Sequence, residues 1–138
     1  MSDIRRQLIS KAEGVVLETG IGHNLNIAYY DFSKIKKLFG CDWVESSLKE
    51  ADKRVRSQDV TLFNCDIHKM PFSDGSFDTI VDTFGIECSY NIEKAYQEMK
   101  RLTKHGGKIL LLERGKGFWL FDNFRMMLRC SVNLSARA

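Results

Sequence analysis

The feature that most constrains the fold is a regular alternation of short apolar runs with segments rich in helix-forming residues. Runs that are apolar throughout are typical of strands buried on both faces of a parallel sheet. Repeated strand-helix units favour a parallel sheet covered by helices on both sides. The predicted strands are Val15–Leu17, Lys37–Cys41, Val60–Cys65, Phe77–Asp82 and Lys108–Glu113, and the predicted helices are Ser2–Lys11, Asn24–Phe32, Glu45–Arg56 and Ile92–Thr103. The sequence therefore predicts a Rossmann-like α/β fold with a doubly wound, mainly parallel sheet of about five strands.

Length and composition indicate one folded domain, residues 1–138. Hydrophobic residues make up 43% of the chain and charged residues 28%, which favours a globular protein over a disordered one. The net charge of +3 does not indicate a nucleic-acid partner. No run approaches the roughly 20 apolar residues of a membrane span.

Four widely spaced cysteines match no metal-binding pattern, so no metal site is predicted: Cys41, Cys65, Cys88 and Cys130. We expect reduced, mostly buried thiols. Reduced thiols are typical of an intracellular compartment, either cytoplasmic or mitochondrial.

Small and acidic residues follow the predicted strands, where parallel sheets bind their ligands. Gly20 and Gly22 allow a tight turn into a helix N-terminus, whose free N–H groups suit an anionic group. Asp42, at the end of the second strand, could accept the hydroxyl protons of a ribose or serve as a helix N-cap. Asp66 could accept a hydrogen bond from an adenine amino group or lie in a solvated turn.

The glycine pattern argues against a dinucleotide site. The dinucleotide fingerprint has a third glycine three positions after the second, and this chain has Leu25 there. Glu18, just before the turn, favours a ligand with an ammonium group over one with a pyrophosphate. S-Adenosylmethionine combines an ammonium group with ribose and adenine.

Four segments resemble the motifs of class I S-adenosylmethionine-dependent methyltransferases, over about residues 15–115. These segments are Val16-Leu17-Glu18-Thr19-Gly20-Ile21-Gly22, Gly40-Cys41-Asp42-Trp43-Val44-Glu45, Asp66-Ile67-His68-Lys69-Met70-Pro71-Phe72, and Glu98-Met99-Lys100-Arg101-Leu102 with the following Lys104-His105-Gly106-Gly107-Lys108. The chain is most similar to the small-molecule group of this family that includes ubiquinone-biosynthesis enzymes. Val81-Asp82-Thr83-Phe84-Gly85 also resembles a mitochondrial methyltransferase-like branch.

The resemblance implies S-adenosylmethionine as cofactor and assigns a role to nine residues. Glu18, Gly20 and Gly22 would line the methionine end, Asp42 would hold the ribose with Trp43 on the adenine, Asp66 and Ile67 would meet the adenine edge, and Asp82 and Thr83 would close the pocket near the methyl group. Simple hydrophobic packing is the alternative role for Trp43. Three residues near the strand ends are candidate general bases: His68, Glu87 and Tyr90. Structural roles are favoured for all three, so no catalytic residue is assigned.

The C-terminal part departs from the family, whose complete members have seven strands. Residues 117–130 predict one apolar helix, and no sixth or seventh strand is visible, so we expect a C-terminally shortened fold. The helix either covers the sheet as an ordinary crossover helix, which is favoured, or docks a partner or lies on a membrane surface. An exposed sheet edge favours a protein partner or a dimer mate.

Two functions are consistent with these features. The first is S-adenosylmethionine-dependent methyl transfer to an unidentified, small-molecule acceptor. The alternative is a shortened, inactive methyltransferase-like subunit or scaffold of a larger assembly, which fold alone does not exclude.

Overall fold

One parallel sheet forms the centre of the molecule. The computed structural model describes residues 2–114 and 130–132, and within them six strands pair in the order β3-β2-β1-β4-β5-β6. The strands are β1 (Gly14–Thr19), β2 (Ile35–Asp42), β3 (Val60–Asn64), β4 (Phe77–Thr83), β5 (Thr103–Arg114) and β6 (Cys130–Val132). The strand order reverses between β1 and β4, so a crevice is expected beyond their carboxyl ends.

Both faces of the sheet are covered, as the fully apolar strands predict. The helices are α1 (Ser2–Ile9), α2 (Glu45–Asp52) and α3 (Ile92–Leu102). On one face Leu17 of β1 joins the buried cluster of α3, which includes Met99. On the other face the neighbouring Val16 joins Leu8 of α1. Because successive side chains of a strand point to opposite faces, this division confirms the doubly wound arrangement.

The segment after the glycine turn is a short 3₁₀ helix, Leu25–Tyr29, and the longer helix predicted for 24–32 is wrong. Asn24 enters the segment in the left-handed conformation, with φ of 60°. Asn26 then turns inward and donates to Glu18 Oε1 at 2.6 Å and to Thr83 Oγ1 at 2.9 Å. These tertiary hydrogen bonds hold the segment in a tight turn.

The five predicted strands are confirmed, and a sixth strand was not foreseen. β6 pairs in parallel with the end of β5, with Cys130 opposite Leu112. Residues 117–129 of the predicted C-terminal helix lie outside the described residues, and its last predicted residue, Cys130, belongs to β6 instead. A three-residue strand carries almost no periodicity, which is why sequence reasoning missed it.

Candidate functional site at the carboxyl ends of the strands

A cavity of about 440 Å³ lies where the loops after β1, β2, β3 and β4 converge. Its volume is within the range of small-molecule sites. The walls combine polar groups with apolar and aromatic surface. The lining residues include Gly20, Cys41, Asp42, Trp43, Val44, Ser47, Cys65, Asp66, Ile67, His68, Thr83, Phe84, Gly85, Cys88, Ser89 and Tyr90.

Six of the nine predicted cofactor residues line this one cavity: Gly20, Asp42, Trp43, Asp66, Ile67 and Thr83. They come from the ends of four strands and the loops that follow, so the structure brings together groups that are up to 63 positions apart in the chain. Glu18, Gly22 and Asp82 do not line it. Gly22 and Asp82 are hydrogen-bonded to lining residues, and Glu18 accepts from Asn26, which also donates to the lining residue Thr83.

The glycine turn is held close to the loop after β4. Gly20 has φ of +60°, and a Cβ at this position would lie 2.8 Å from the Cα of Gly85. Gly22 has φ of +53°, and its N–H donates to Asp42 Oδ2 at 2.9 Å. Glycine is therefore required at position 20 both by conformation and by space.

Asp42 ties the ends of β1 and β2 together. Its Oδ2 accepts from Gly22, and its Oδ1 accepts from the backbone N–H of Val44 at 2.9 Å. The N-cap of α2 is Val44, so the N-cap alternative for Asp42 is wrong. A carboxylate offers about four lone-pair sites, so Asp42 retains acceptor capacity towards the cavity.

Trp43 stands on the cavity rim with 78% of its surface exposed. The hydrophobic-packing alternative for this side chain is therefore wrong. Asn64 fixes the backbone here, because its amide donates to the carbonyl oxygens of Asp42 at 3.1 Å and Trp43 at 3.0 Å. The result is a large aromatic face beside an acceptor carboxylate.

Glu18 is 1% exposed, and each of its two carboxylate oxygens accepts a hydrogen bond. Its Oε1 accepts from Asn26, and its Oε2 accepts from the Tyr30 hydroxyl at 2.7 Å. Burial raises the pKa of Glu18 to about 7, against the opposing effect of these hydrogen bonds. Contact between Glu18 and the amino-acid end of a cofactor stays a prediction.

Asp82 supports the loop that follows β4. It accepts from the Thr19 hydroxyl at 2.6 Å and from the backbone N–H groups of Gly85 and Ile86, both at 2.9 Å. Burial raises the pKa of Asp82 to about 6, although these hydrogen bonds lower it. Asp82 therefore shapes the cavity wall indirectly.

Another part of the cavity wall holds a hydrogen-bonded chain of three polar side chains. Sequence reasoning identified only part of this chain. His68 Nδ1 lies 2.5 Å from Asp66 Oδ1, and His68 Nε2 lies 2.6 Å from Ser89 Oγ. The ring of Tyr90 stacks on the imidazole with 3.8 Å between centroids. Hydrogen bonds from the backbone and side chain of His68 lower the pKa of Asp66. His68 and Tyr90 were singled out from the sequence, but Ser89 carried no local signal.

Three cysteines contribute to the cavity as free thiols. Cys41 is buried, Cys65 is half-buried and Cys88 is exposed, so among these three described side chains the expectation of burial holds for Cys41 alone. Within the described ranges 2–114 and 130–132, no helix is long and apolar enough to cross a membrane.

The chain is related in sequence to known methyltransferases. Residues 17–111 match the family described as "Methyltransferase domain", and the chain belongs to this family. It is 32% identical over 111 residues to a ubiquinone/menaquinone biosynthesis C-methyltransferase of Bdellovibrio bacteriovorus, an alignment that covers 78% of this chain and 47% of that protein. The chain spans less than half the length of such curated relatives.

Solved structures share the fold at lower identity. A SAM-dependent methyltransferase from Aquifex aeolicus superposes with a TM-score of 0.64 at 22% identity, covering 75% of this chain and 57% of that chain. The [4+2]-cyclase SpnF superposes with a TM-score of 0.66 at 20% identity, covering 77% of this chain and 41% of that chain. The Rossmann-like methyltransferase fold is thus confirmed, while SpnF shows that this fold also carries another reaction.

Proposed function

We propose that the cavity binds S-adenosylmethionine and that the protein transfers its methyl group to a small-molecule acceptor. The observation that carries the proposal is the placement of Asp42, Trp43 and Asp66 around one cavity at the switch point of the sheet. The family and its curated methyltransferase relatives support it.

The residues present fit the chemical groups of this cofactor. Asp42 has acceptor capacity for ribose hydroxyls, and the exposed ring of Trp43 suits a purine face. His68 uses only Oδ1 of Asp66, so Oδ2 can accept from an adenine amino group. Ile67 adds apolar surface to the same wall.

The protein would act mainly by orientation. When bound, S-adenosylmethionine supplies an electrophilic methyl group on its sulfonium. The side chains around the cavity would align an acceptor with that methyl group and exclude water. Gly20 and Gly85 keep the two central loops in contact, which fixes the floor of the cavity.

Titration calorimetry with S-adenosylmethionine and S-adenosylhomocysteine tests the cofactor site. We expect binding by the wild type, weakened about 5- to 150-fold by Trp43→Ala, because a base stacked on an aromatic ring is worth about 1–3 kcal/mol. Phe32→Ala is the matched control, since Phe32 is also exposed and does not line the cavity.

Two results would contradict the cofactor site. Equal weakening by both variants would place the ligand elsewhere. No binding by a folded wild type would favour the alternative of a non-catalytic methyltransferase-like subunit.

The acceptor class needs its own experiment. Radiolabelled S-adenosylmethionine would be incubated with the protein and with separate metabolite, RNA and protein fractions. We expect label in the metabolite fraction, because the relative named above is a ubiquinone/menaquinone biosynthesis C-methyltransferase. Label confined to RNA or protein would refute a small-molecule acceptor.

A further inference from the structure

The hydrogen bonds that link Asp66, His68 and Ser89 in the cavity wall are oriented so that they could carry a proton. We propose that Asp66, His68 and Ser89 form a relay that takes a proton from the methyl acceptor, and that the acceptor therefore bears a proton on its nucleophilic atom. This inference rests on the proposed function. It adds the residues that remove a proton and the class of acceptor that requires them.

Asp66 sets the tautomer of His68. An ionised carboxylate only accepts hydrogen bonds, and the lowered pKa of Asp66 keeps it ionised. The 2.5 Å contact therefore requires the proton of neutral His68 on Nδ1. Nε2 is then an acceptor, and at 2.6 Å it receives the hydroxyl proton of Ser89.

His68 lines the cavity with little of its own surface, and Ser89 is its hydrogen-bond partner there. The His68 side chain is only 4% exposed, and the ring of Tyr90 covers one of its faces. Ser89 Oγ also accepts from the backbone N–H of Asn91 at 3.1 Å. This bond holds the hydroxyl oxygen in place while a second lone pair remains for an acceptor's proton.

The step balances without a further reactant. As the acceptor atom bonds to the methyl carbon, its proton passes to Ser89 Oγ, and the proton of Ser89 passes to His68 Nε2. The sulfur–methyl bond breaks and its electron pair stays on sulfur, which leaves S-adenosylhomocysteine. The imidazolium of His68 is paired with Asp66 until it releases its proton to water.

Ser89 is the catalytic residue in this scheme because it would touch the acceptor. His68 and Asp66 act through it and are positioning residues. The arrangement follows the logic of a base oriented by a carboxylate and acting on a hydroxyl.

Nitrogen-15 NMR of the histidine side chains tests the direction of the relay in the full chain without ligand. We expect neutral wild-type His68 to hold its proton on Nδ1, and Asp66→Asn to shift the balance of tautomers. Ser89→Ala should move the Nε2 resonance, whereas Ser47→Ala should not. Ser47 is the matched control because it lines the same cavity from α2. A proton on Nε2 of wild-type His68 would overturn the relay.

Phenylmethanesulfonyl fluoride reacts with activated serine hydroxyls, so it tests whether His68 can accept the proton of Ser89. As Ser89 Oγ bonds to the sulfonyl sulfur, fluoride leaves and the hydroxyl proton passes to His68. Peptide mass mapping should find the adduct on Ser89 and not on Ser47, and His68→Gln should slow it about 100-fold or more. No adduct on Ser89, or equal labelling of both serines, would refute the proposal.

Neither measurement uses the cofactor. Failure of the relay is therefore distinct from failure of cofactor binding, which calorimetry reports.

Discussion

Replacing Glu18 with glutamine should make the free energy of unfolding less dependent on pH. Glutamine retains the shape of the side chain, accepts from Asn26 through its carbonyl and donates to the Tyr30 hydroxyl through its amide. It removes only the ionisation. The wild-type carboxyl titrates in the folded state at a pKa of about 7, against an ordinary value of 4.5.

The sign follows from proton binding. Between these two pKa values the folded state holds a proton that the unfolded state has released, so stability falls as pH rises. At about 1.4 kcal/mol per pKa unit, Glu18 should cost about 2 kcal/mol between about pH 5.5 and about pH 8. Asp82, with a folded pKa of about 6, should add about 1 kcal/mol over the same interval.

Urea denaturation across this interval measures the effect. Wild-type stability should fall by about 3 kcal/mol and that of Glu18→Gln by about 1 kcal/mol. Glu45→Gln is the control, because this glutamate is exposed on α2 and should leave the wild-type slope unchanged. A Glu18→Gln slope equal to that of the wild type would refute the assignment of a buried, protonated carboxyl.

Three further substitutions test what holds the fold together. Gly20→Ala should lower the free energy of unfolding by about 2 kcal/mol or more in urea, because φ is +60° and a Cβ would lie 2.8 Å from a backbone atom. Gly106→Ala is the control, with φ of +78° in open space, and should cost about 1 kcal/mol. Equal losses would show that the close approach at Gly20 is unimportant. Arg101→Lys should lower stability by about 1–2 kcal/mol and speed hydrogen exchange in the loop before β4. Lysine cannot keep the bidentate contact with Glu98 together with the hydrogen bonds to the loop carbonyls. Unchanged exchange would contradict this anchoring role. Leu110→Ala should cost about 2–5 kcal/mol in thermal unfolding monitored by circular dichroism, because the side chain is fully buried in β5, and a loss below about 1 kcal/mol would contradict tight packing there.

The strands were predictable because each carries its own signal. Ile109-Leu110-Leu111-Leu112 is apolar on both faces, and a sheet between two layers of helices needs that composition. The 3₁₀ helix at Leu25–Tyr29 was not predictable, since its conformation depends on Asn26 reaching Glu18 and Thr83 on other elements.

Some residues of the candidate site were also predictable from the sequence, and others were not. Gly20, Asp42 and Asp66 were identified from the sequence because each lies close to the end of a predicted strand, and the ends of parallel strands share one edge of the sheet. Ser89 was missed because it is 21 positions from His68, and nothing local marks a serine that will lie beside an imidazole.

The sequence by itself determined the class of fold and the edge of the sheet at which the cavity forms, because strand periodicity and strand-end residues are local properties. Only the tertiary structure decided which carboxyls are withdrawn from solvent and which hydroxyl meets His68. Glu18 and Asp82 lie near the carboxyl ends of strands just as Asp42 does, yet burial raises their pKa values while Asp42 borders the cavity. Desolvation and hydrogen bonding depend on atoms contributed by distant segments, so these properties arise only when the chain has folded.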